Sequence, residues 1–141
     1  MTETATALPE RAVTEALATI RFNADGLVAA IAQQHDSGEV LMMAWMNRDA
    51  VAETLRTGRV CYWSRSRQAL WRKGETSGQM QVLKRFLIDC DGDTVLLRVD
   101  QDGVACHTGR RTCFFNAVTA DGLAEAEPVL VDPKALYSTG H

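Results

Sequence analysis

Residues 88–115 read I-D-C-D-G-D-T-V-L-L-R-V-D-Q-D-G-V-A-C-H-T-G-R-R-T-C-F-F. The run T-V-L-L-R-V-D is typical of a β-strand, and the turn sequences D-G-D and Q-D-G stand on either side of it. The segment before the first turn, residues 79–89, alternates as a strand does, so we expect the two to form an antiparallel pair. Cysteines and aspartates are interleaved with these strands. The stretch therefore predicts a β-rich fold in which two kinds of metal ligand lie close along the chain.

Three of the four cysteines lie in this stretch with the spacing C-x15-C-H-x5-C. They are Cys90, Cys106 and Cys113. Thiolates and imidazole suit zinc, and the absence of a tight C-x2-C pair favours a site whose fourth position is open, as in catalytic zinc sites. His107 follows Cys106 directly and is the candidate general base. The alternative is that the cysteines are small buried apolar residues.

Three aspartates surround the first cysteine, and clustered carboxylates suit a hard cation such as Mg²⁺. They are Asp89, Asp91 and Asp93. On an extended strand Asp89 and Asp91 would share one face and Cys90 would occupy the other. Two alternatives remain: a solvated turn, and an EF-hand loop. The EF-hand is disfavoured because Thr94 stands where that loop needs glycine and because its flanks are typical of strands.

Residues 64–78 are polar, basic and bounded by glycine, which predicts a functional loop more than a core element. Arginine and lysine pair with phosphates, and serine hydroxyls support them. The candidate anion-binding residues, which include one arginine from the cysteine stretch, are Arg65, Arg67, Lys73, Ser77 and Arg110. The alternative is an ordinary solvated charged surface.

Composition limits the class of protein. The chain has 141 residues, of which 46% are hydrophobic and 23% charged, as expected for one globular domain. A net charge of -3 argues against nucleic-acid or membrane binding driven by bulk charge. No apolar run reaches the roughly 20 residues of a membrane span, and no signal peptide is apparent. We therefore expect a cytoplasmic protein whose cysteines serve metal binding more than disulfides.

The remaining segments predict antiparallel strands with few helices. A helix over residues 48–57 is the best defined, with Asn47 as its N-cap and Gly58 as its stop. The first twenty residues predict a helical or loosely ordered extension in which Pro9 occupies a first turn. Further strands are expected over 27–34, 39–46, 59–64 and 112–118, and one short helix over 134–137.

Several motifs, in order, resemble phosphoribosyl-AMP cyclohydrolases of histidine biosynthesis. They are V-L-M-M-A-W-M-N, Y-W-S-R-S-R, L-W-R-K-G-E-T-S-G, D-C-D-G-D and A-C-H-T-G-R-R-T-C-F-F. The resemblance covers roughly residues 22–115. The resemblance implies hydrolytic opening of the adenine ring of phosphoribosyl-AMP at the N1–C6 bond, using zinc-activated water. It also implies an α+β, β-rich fold of antiparallel strands with one or two short helices, as a compact subunit of an intertwined homodimer.

The resemblance also implies roles for individual residues. Cys90, Cys106 and Cys113 would bind Zn²⁺, with the set completed across the homodimer interface, and Asp89, Asp91 and Asp93 would bind Mg²⁺. His107 matches a functionally important histidine, and the basic residues would hold the two phosphates of the substrate. Cys61 does not match a metal-binding position and is expected to be structural.

The chain looks like the monofunctional form, with no pyrophosphohydrolase domain. We expect an N-terminal extension over 1–21, a cyclohydrolase domain over 22–118 and a tail over 119–141. Two other classes stay open. In a structural zinc module all four cysteines would close the site, and Cys61 would be the fourth ligand. A nucleobase deaminase is disfavoured because the H-x-E and P-C-x-x-C signatures are absent.

Overall fold

A computed structural model describes residues 7–137 of the chain. Its helices are α1 (Glu10–Thr19), α2 (Arg48–Thr57) and α3 (Pro133–Tyr137). Its strands are β1 (Val28–Gln34), β2 (Val40–Met46), β3 (Cys61–Ser64), β4 (Ala69–Arg72), β5 (Gln81–Ile88), β6 (Thr94–Gln101), β7 (Asn116–Thr119) and β8 (Gly122–Glu125). The expected α+β, strand-rich class is confirmed, with three helices where one or two were expected. None of these helices is long and apolar enough to cross a membrane.

Six strands form one mixed sheet in the order β4-β3-β2-β1-β6-β5. Neighbouring pairs are antiparallel except at the centre, where β1 and β6 run parallel with Ala29 opposite Thr94. The prediction of purely antiparallel strands was therefore wrong at this pair. No local turn joins two strands that lie so far apart in sequence, so the sequence carries no direct mark of their pairing.

The sheet curls until its two sides meet. Arg59, just before β3, forms an isolated antiparallel bridge with Val82 of β5. The amide of Leu83 donates to the carbonyl of Gly58 at 2.8 Å, and the amide of Val60 donates to the carbonyl of Gln81 at 3.1 Å. Tyr62 and leucines from several strands fill the enclosed space and are fully buried. The curling gives this small domain a single core.

Helix α2 begins and ends where the sequence predicted. The side chain of Asn47 accepts a hydrogen bond from the amide of Ala50 at 2.9 Å, and Gly58 takes the left-handed conformation at the C-terminus (φ 74°). Both are ordinary solutions to the unpaired backbone groups of helix ends. The buried face includes Val51, Thr54 and Leu55, so the predicted apolar face is confirmed.

The described part of the predicted N-terminal extension forms a helix, Glu10–Thr19, and residues 1–6 of that prediction lie outside the described residues. Val13 and Ile20 belong to the hydrophobic core, and the carboxylate of Glu10 accepts hydrogen bonds from Nε and Nη2 of Arg56 at 2.7 and 2.8 Å. The amide of Arg21 donates to the carbonyl of Gly92 at 2.7 Å. Helix α1 is therefore packed against α2, and its C-terminal end is tied to the β5–β6 turn.

Two strand predictions need correction. Residues 64–78 include the edge strand β4, because Ala69–Arg72 pair with β3 in an antiparallel hairpin. The strand expected over 112–118 begins only at Asn116, because the hydroxyl of Thr112 and the amide of Cys113 donate to carbonyls of β2 at 2.7 Å each. β7 instead pairs with β8, which was not predicted.

Candidate metal centre and substrate cleft

The three aspartates come together on the turn between β5 and β6. One carboxylate oxygen from each lies within 4.8 Å of the others, and all three side chains are exposed. β5 ends at Ile88, so a turn brings Asp89, Asp91 and Asp93 together. The sequence had suggested instead that Asp89 and Asp91 share one face of an extended strand. Strands on both sides contradict the EF-hand alternative.

The close approach of the three carboxylates shifts the pKa values of two of them. The pKa of Asp93 is raised, mainly by the hydrogen bond and the negative charge of Asp89, then by shielding from solvent and by the charge of Asp91. Solvent shielding also acts to raise the pKa of Asp89, but a hydrogen bond with Asp93 and backbone amides lower it overall. Among those amides, Asp93 donates to Asp89 Oδ1 at 3.0 Å. Three carboxylates that repel one another fit a divalent cation, which would remove the repulsion.

Two of the predicted zinc ligands form a thiol pair. Cys106 and Cys113 interact through their side chains, and the Thr108 hydroxyl donates to Cys106 Sγ at 3.0 Å. Partial desolvation of the sulfur raises the pKa of the Cys113 thiol to about 12, with smaller contributions from the charge and the hydrogen bond of Cys106. Without a cation this thiol stays protonated at neutral pH. The donor pair therefore fits a soft metal that stabilises thiolates.

Cys90 lies far from this pair within one chain. It is on the turn that precedes β6, whereas the loop bearing Cys106 follows the end of β6. The eight residues of β6 are joined by seven steps of about 3.3 Å, which separate its two ends by roughly 23 Å. The amide of Cys113 donates to Leu41 O, at the end of the sheet opposite the aspartates. Within residues 7–137, no cluster of three potential metal ligands includes a cysteine.

Buried glutamines hold the cysteine loop, and sequence reasoning missed them. Gln101 Nε2 donates to the carbonyls of Gln79 at 3.0 Å and Asp102 at 2.8 Å, while its Oε1 accepts from Gln81 at 2.9 Å. Gln81 in turn accepts from the hydroxyl of Tyr62 at 2.7 Å. Gln81 begins β5 and Gln101 ends β6, and the two face each other across the strand pair. A glutamine at the end of an apolar strand was the one sequence signal for this network, because a buried amide needs several hydrogen-bond partners. The network fixes the backbone that leads to Cys106 and His107.

Lys73 connects the loop to a neighbouring cleft. Its ammonium donates to the carbonyl of Ala105 at 2.7 Å and lies 5.5 Å from the centre of the Trp71 ring. Burial lowers the pKa of Lys73, and the nearby sulfurs of Cys113 and Cys106 act to raise it. A cation therefore stands beside the thiol pair.

The cleft of about 380 Å³ beside Lys73 brings three of the predicted anion-binding residues together. Its lining residues are Arg67, Trp71, Lys73, Gly74, Glu75, Thr76 and Ser77. Gly74 has φ +86°, and a Cβ there would come within 2.5 Å of Met80 N, so only glycine fits. Basic side chains, hydroxyls and an aromatic ring in one cleft suit a phosphorylated ligand with a planar base.

Arg65 and Arg110 lie outside this cleft. The guanidinium of Arg65 lies 5.1 Å from the Trp45 ring centre and lines a second cleft of about 340 Å³ with Trp63. The guanidinium of Arg110 donates to Glu125 Oε2 at 2.6 Å and lies 4.0 Å from the ring centre of Phe115. Arg110 is thus engaged by its own chain, and its predicted substrate contact stays a prediction.

His107 and Cys61 lie in opposite environments. His107 is exposed directly after Cys106. Cys61 is fully buried, and burial followed by the charge of Glu53 raises the pKa of its thiol to about 12. Because Cys61 joins no cluster of potential ligands in residues 7–137, the arrangement does not favour a four-cysteine structural zinc site.

The comparisons with known proteins agree with one another. Residues 42–115 match the family model described as phosphoribosyl-AMP cyclohydrolase. Over 121 residues the chain is 75% identical to a protein of that name from Paramagnetospirillum magneticum, covering 86% of this chain and 92% of the relative. A protein of that name from Alkalilimnicola ehrlichii is 67% identical over 121 residues, with 86% and 85% covered. Another, from Rhodospirillum rubrum, is 66% identical over 126 residues, with 88% of both chains covered.

Proposed function

Because the chain belongs to the phosphoribosyl-AMP cyclohydrolase family, we propose that it hydrolyses the N1–C6 bond of the adenine ring of phosphoribosyl-AMP. The 75% identity to a relative of that name, over most of both chains, carries this proposal. The reaction is a step of histidine biosynthesis. A water oxygen bonds to C6, the C6–N1 bond breaks, and N1 takes a proton, which leaves an imidazole carboxamide. The predicted cytoplasmic location stays a prediction; the four free thiols are compatible with it.

A zinc ion held by Cys90, Cys106 and Cys113 belongs to the proposal. When bound, it would supply a Lewis acid that makes a water molecule easier to ionise. The contact between Cys106 and Cys113 supports two of these ligands. The position of Cys90 at the far end of β6 supports a set completed by a second subunit, in a homodimer with two such sites.

The carboxylates of Asp89, Asp91 and Asp93 would hold Mg²⁺. Their oxygens already lie within 4.8 Å of one another, a spacing compatible with shared coordination of one ion. If Cys90 joins the thiol pair of a partner subunit, these aspartates arrive at the same place, because Cys90 lies between Asp89 and Asp91 in the chain. The magnesium site would then lie beside the zinc site and next to the partner's cleft.

The substrate would enter the cleft lined by Arg67, Lys73 and Ser77. A phosphate would accept hydrogen bonds from the Arg67 guanidinium and the Ser77 hydroxyl, and Trp71 offers a face for a planar ring. Lys73 would orient the substrate towards the thiol pair, since its ammonium already contacts the loop that carries Cys106. Arg65 and Arg110 are the candidates for the second phosphate.

His107 would act as general base at the water that attacks C6. Its exposure leaves the imidazole accessible, and its position directly after Cys106 brings it to the candidate metal site. Transfer of the water proton to an imidazole nitrogen would make the oxygen a stronger nucleophile at the electron-poor ring. The same proton could then reach the departing N1.

The direct experiment is a turnover assay with purified protein and synthetic phosphoribosyl-AMP, followed by the ultraviolet absorbance change that accompanies opening of the purine. We expect product formation at micromolar enzyme, and loss of activity when a chelator removes zinc. AMP, which lacks the N1 substituent that makes C6 electron-poor, is the matched control and should remain unchanged. A zinc-loaded, folded protein that leaves phosphoribosyl-AMP intact would refute the proposed activity.

A further inference from the structure

One acidic side chain lies among the basic residues of the substrate cleft. Glu75 lines this cleft together with Arg67, Lys73 and Trp71, and it is the one carboxylate among the seven lining residues. Arg67 and Lys73 suit a phosphate, whereas a carboxylate repels one. An acidic group in a cleft for anions indicates that the ligand also carries a positive charge, because binding sites match the charges of what they bind.

The backbone fixes the position of Glu75 at the cleft. The amide of Glu75 donates to the carbonyl of Arg72 at 3.0 Å, and the amide of Gly78 donates to the carbonyl of Gly74 at 2.8 Å. These two hydrogen bonds close successive tight turns on either side of the residue. The side chain of Glu75 is exposed. A ligand that enters the cleft can therefore reach this carboxylate without any rearrangement of the backbone.

The two cations next to Glu75 in sequence are engaged by other partners. Arg72 donates from Nε and Nη2 to the carboxylate oxygens of Glu53 at 2.7 and 2.8 Å. Lys73 donates to the carbonyl of Ala105 at 2.7 Å. In the described part of the chain, the side chain of Glu75 forms no hydrogen bond and no ion pair. The carboxylate is therefore available to a ligand.

The proposed substrate carries a positive charge that ordinary adenine nucleotides lack. In phosphoribosyl-AMP the second ribose is bonded to N1 of adenine, which turns N1, C6 and the 6-amino nitrogen into a substituted amidine. Such an amidine is basic enough to be protonated at neutral pH. Its 6-amino N–H is a charged donor, and a carboxylate accepts from a charged donor in a short, strong hydrogen bond.

Resting on the proposed function, we infer that Glu75 is the residue by which the cleft selects a cationic, N1-substituted adenine over a neutral purine. Its carboxylate accepts a hydrogen bond from the 6-amino group, while Arg67 and Ser77 hold a phosphate of the same molecule. The cleft thereby matches both signs of charge on one substrate. Nucleotides with an unsubstituted N1, such as AMP, lack the charge that Glu75 recognises.

This pairing acts on binding more than on the chemical step. Addition of water to C6 with loss of a proton removes the positive charge from the ring, so Glu75 stabilises the bound substrate more than the adduct. Steady-state kinetics of Glu75→Gln should therefore show a raised KM for phosphoribosyl-AMP and a kcat that does not fall. A residue that merely supports the loop would lower kcat when it is replaced.

The direct test compares two nucleotides that differ in charge at the 6-position. The first, 1-methyl-AMP, is cationic and carries an amino group there; the second, 1-methyl-IMP, is neutral and carries a carbonyl oxygen. In isothermal titration calorimetry of the zinc-loaded parent at neutral pH, 1-methyl-AMP should bind about tenfold more tightly, as expected for one charge-assisted hydrogen bond. Glu75→Gln should bind the two about equally. Glu15→Gln, on the exposed surface of α1, is the matched control and should keep the preference of the parent.

Charge reversal provides a second variant. Glu75→Lys should bind 1-methyl-IMP more tightly than 1-methyl-AMP, and it should keep the Tm and zinc content of the parent because the side chain is exposed. Equal binding of the two nucleotides to the parent, or an unchanged preference in Glu75→Gln, would overturn the inference. If the preference depends on Glu75 but phosphoribosyl-AMP is not hydrolysed, the proposed activity fails and the role of Glu75 stands.

Discussion

At the scale of single residues, the contrast between Cys106 and Cys61 separates metal ligands from core thiols. Cys106 contacts Cys113 and receives a hydrogen bond from Thr108, whereas Cys61 is fully buried beneath α2. We expect Cys106→Ser to lose at least about nine tenths of the zinc, since two thiolates bind it far more weakly than three. Cys61→Ala should keep its zinc and cost only about 1 kcal/mol of unfolding free energy. Zinc content by mass spectrometry and urea denaturation measure the two effects, and zinc at the parent level in Cys106→Ser would exclude that ligand.

Asp93 shows how the acidic turn responds to pH and Mg²⁺. Folding raises its pKa, chiefly through Asp89, so the folded chain holds this proton more tightly than the unfolded chain. This contribution to stability is lost as pH rises above the ordinary carboxyl range. At pH 7.5 we therefore expect metal-free Asp93→Asn to melt slightly above the parent and to lose most of the Tm gain that Mg²⁺ gives the parent.

Asp121→Asn, on the exposed hairpin turn, is the control for that melting experiment and should respond to Mg²⁺ as the parent does. An equal Mg²⁺ shift in the parent and in Asp93→Asn would favour a solvated turn with no role in metal binding.

His107 is expected to act on protons and not on the metal. His107→Ala should lower kcat by about 10²- to 10⁴-fold, the usual effect of losing a general base, while zinc and the dimer remain. His35→Ala, on the β1–β2 turn and not among the lining residues of the substrate cleft, should leave kcat unchanged. If His107→Ala lost zinc in proportion to activity, the imidazole would be a ligand or its support. Steady-state kinetics and metal analysis of the same samples distinguish the outcomes.

At the scale of elements, the loop after β6 depends on one buried amide. Gln101 donates to the carbonyls of Gln79 and Asp102 and accepts from Gln81. Gln101→Leu leaves those groups buried and unpaired, so we expect a loss of about 1–3 kcal/mol in unfolding free energy and weaker zinc binding. Gln33→Leu, which removes a single bond to the half-buried Gly38, should cost less and leave zinc binding intact. Urea unfolding and chelator competition test both, and equal zinc affinities would show that the loop does not need this amide.

Local chemistry explains which elements could be predicted. Asn47 and Gly58 defined α2 to the residue because caps act on neighbouring backbone groups. The two types of metal ligand could also be predicted from the sequence, since thiolates prefer soft metal ions and carboxylates prefer hard ones. The parallel β1–β6 pair and the Tyr62–Gln81–Gln101 chain were not, because they join residues distant in sequence through packing alone. β4 and β8 were missed because four-residue edge strands carry too little alternation to stand out.

At the scale of the whole molecule, the separation of Cys90 from Cys106 predicts complementation between inactive subunits. Chains with Cys90→Ser and chains with Cys106→Ser each lack a complete ligand set as homodimers. A mixed dimer has one site with both defects and one site with none, so isolated mixed dimers should show about half the activity of the parent. Co-expression with two different affinity tags yields the mixed dimers. The pair Cys106→Ser and Cys113→Ser, whose defects lie in the same half of the site, should not complement, and activity there would contradict a shared site.

The parallel pairing of β1 with β6 also governs when the chain can fold. β1 is central in the sheet, yet its second neighbour begins only at Thr94, so a nascent chain cannot complete the sheet until the ribosome has made Gln101. Contacts of such sequence separation slow folding, because a long loop must close before they form. During synthesis the hydrophobic strands β1 and β2 therefore remain exposed until β6 is available for pairing. We expect chaperones to bind these two segments first.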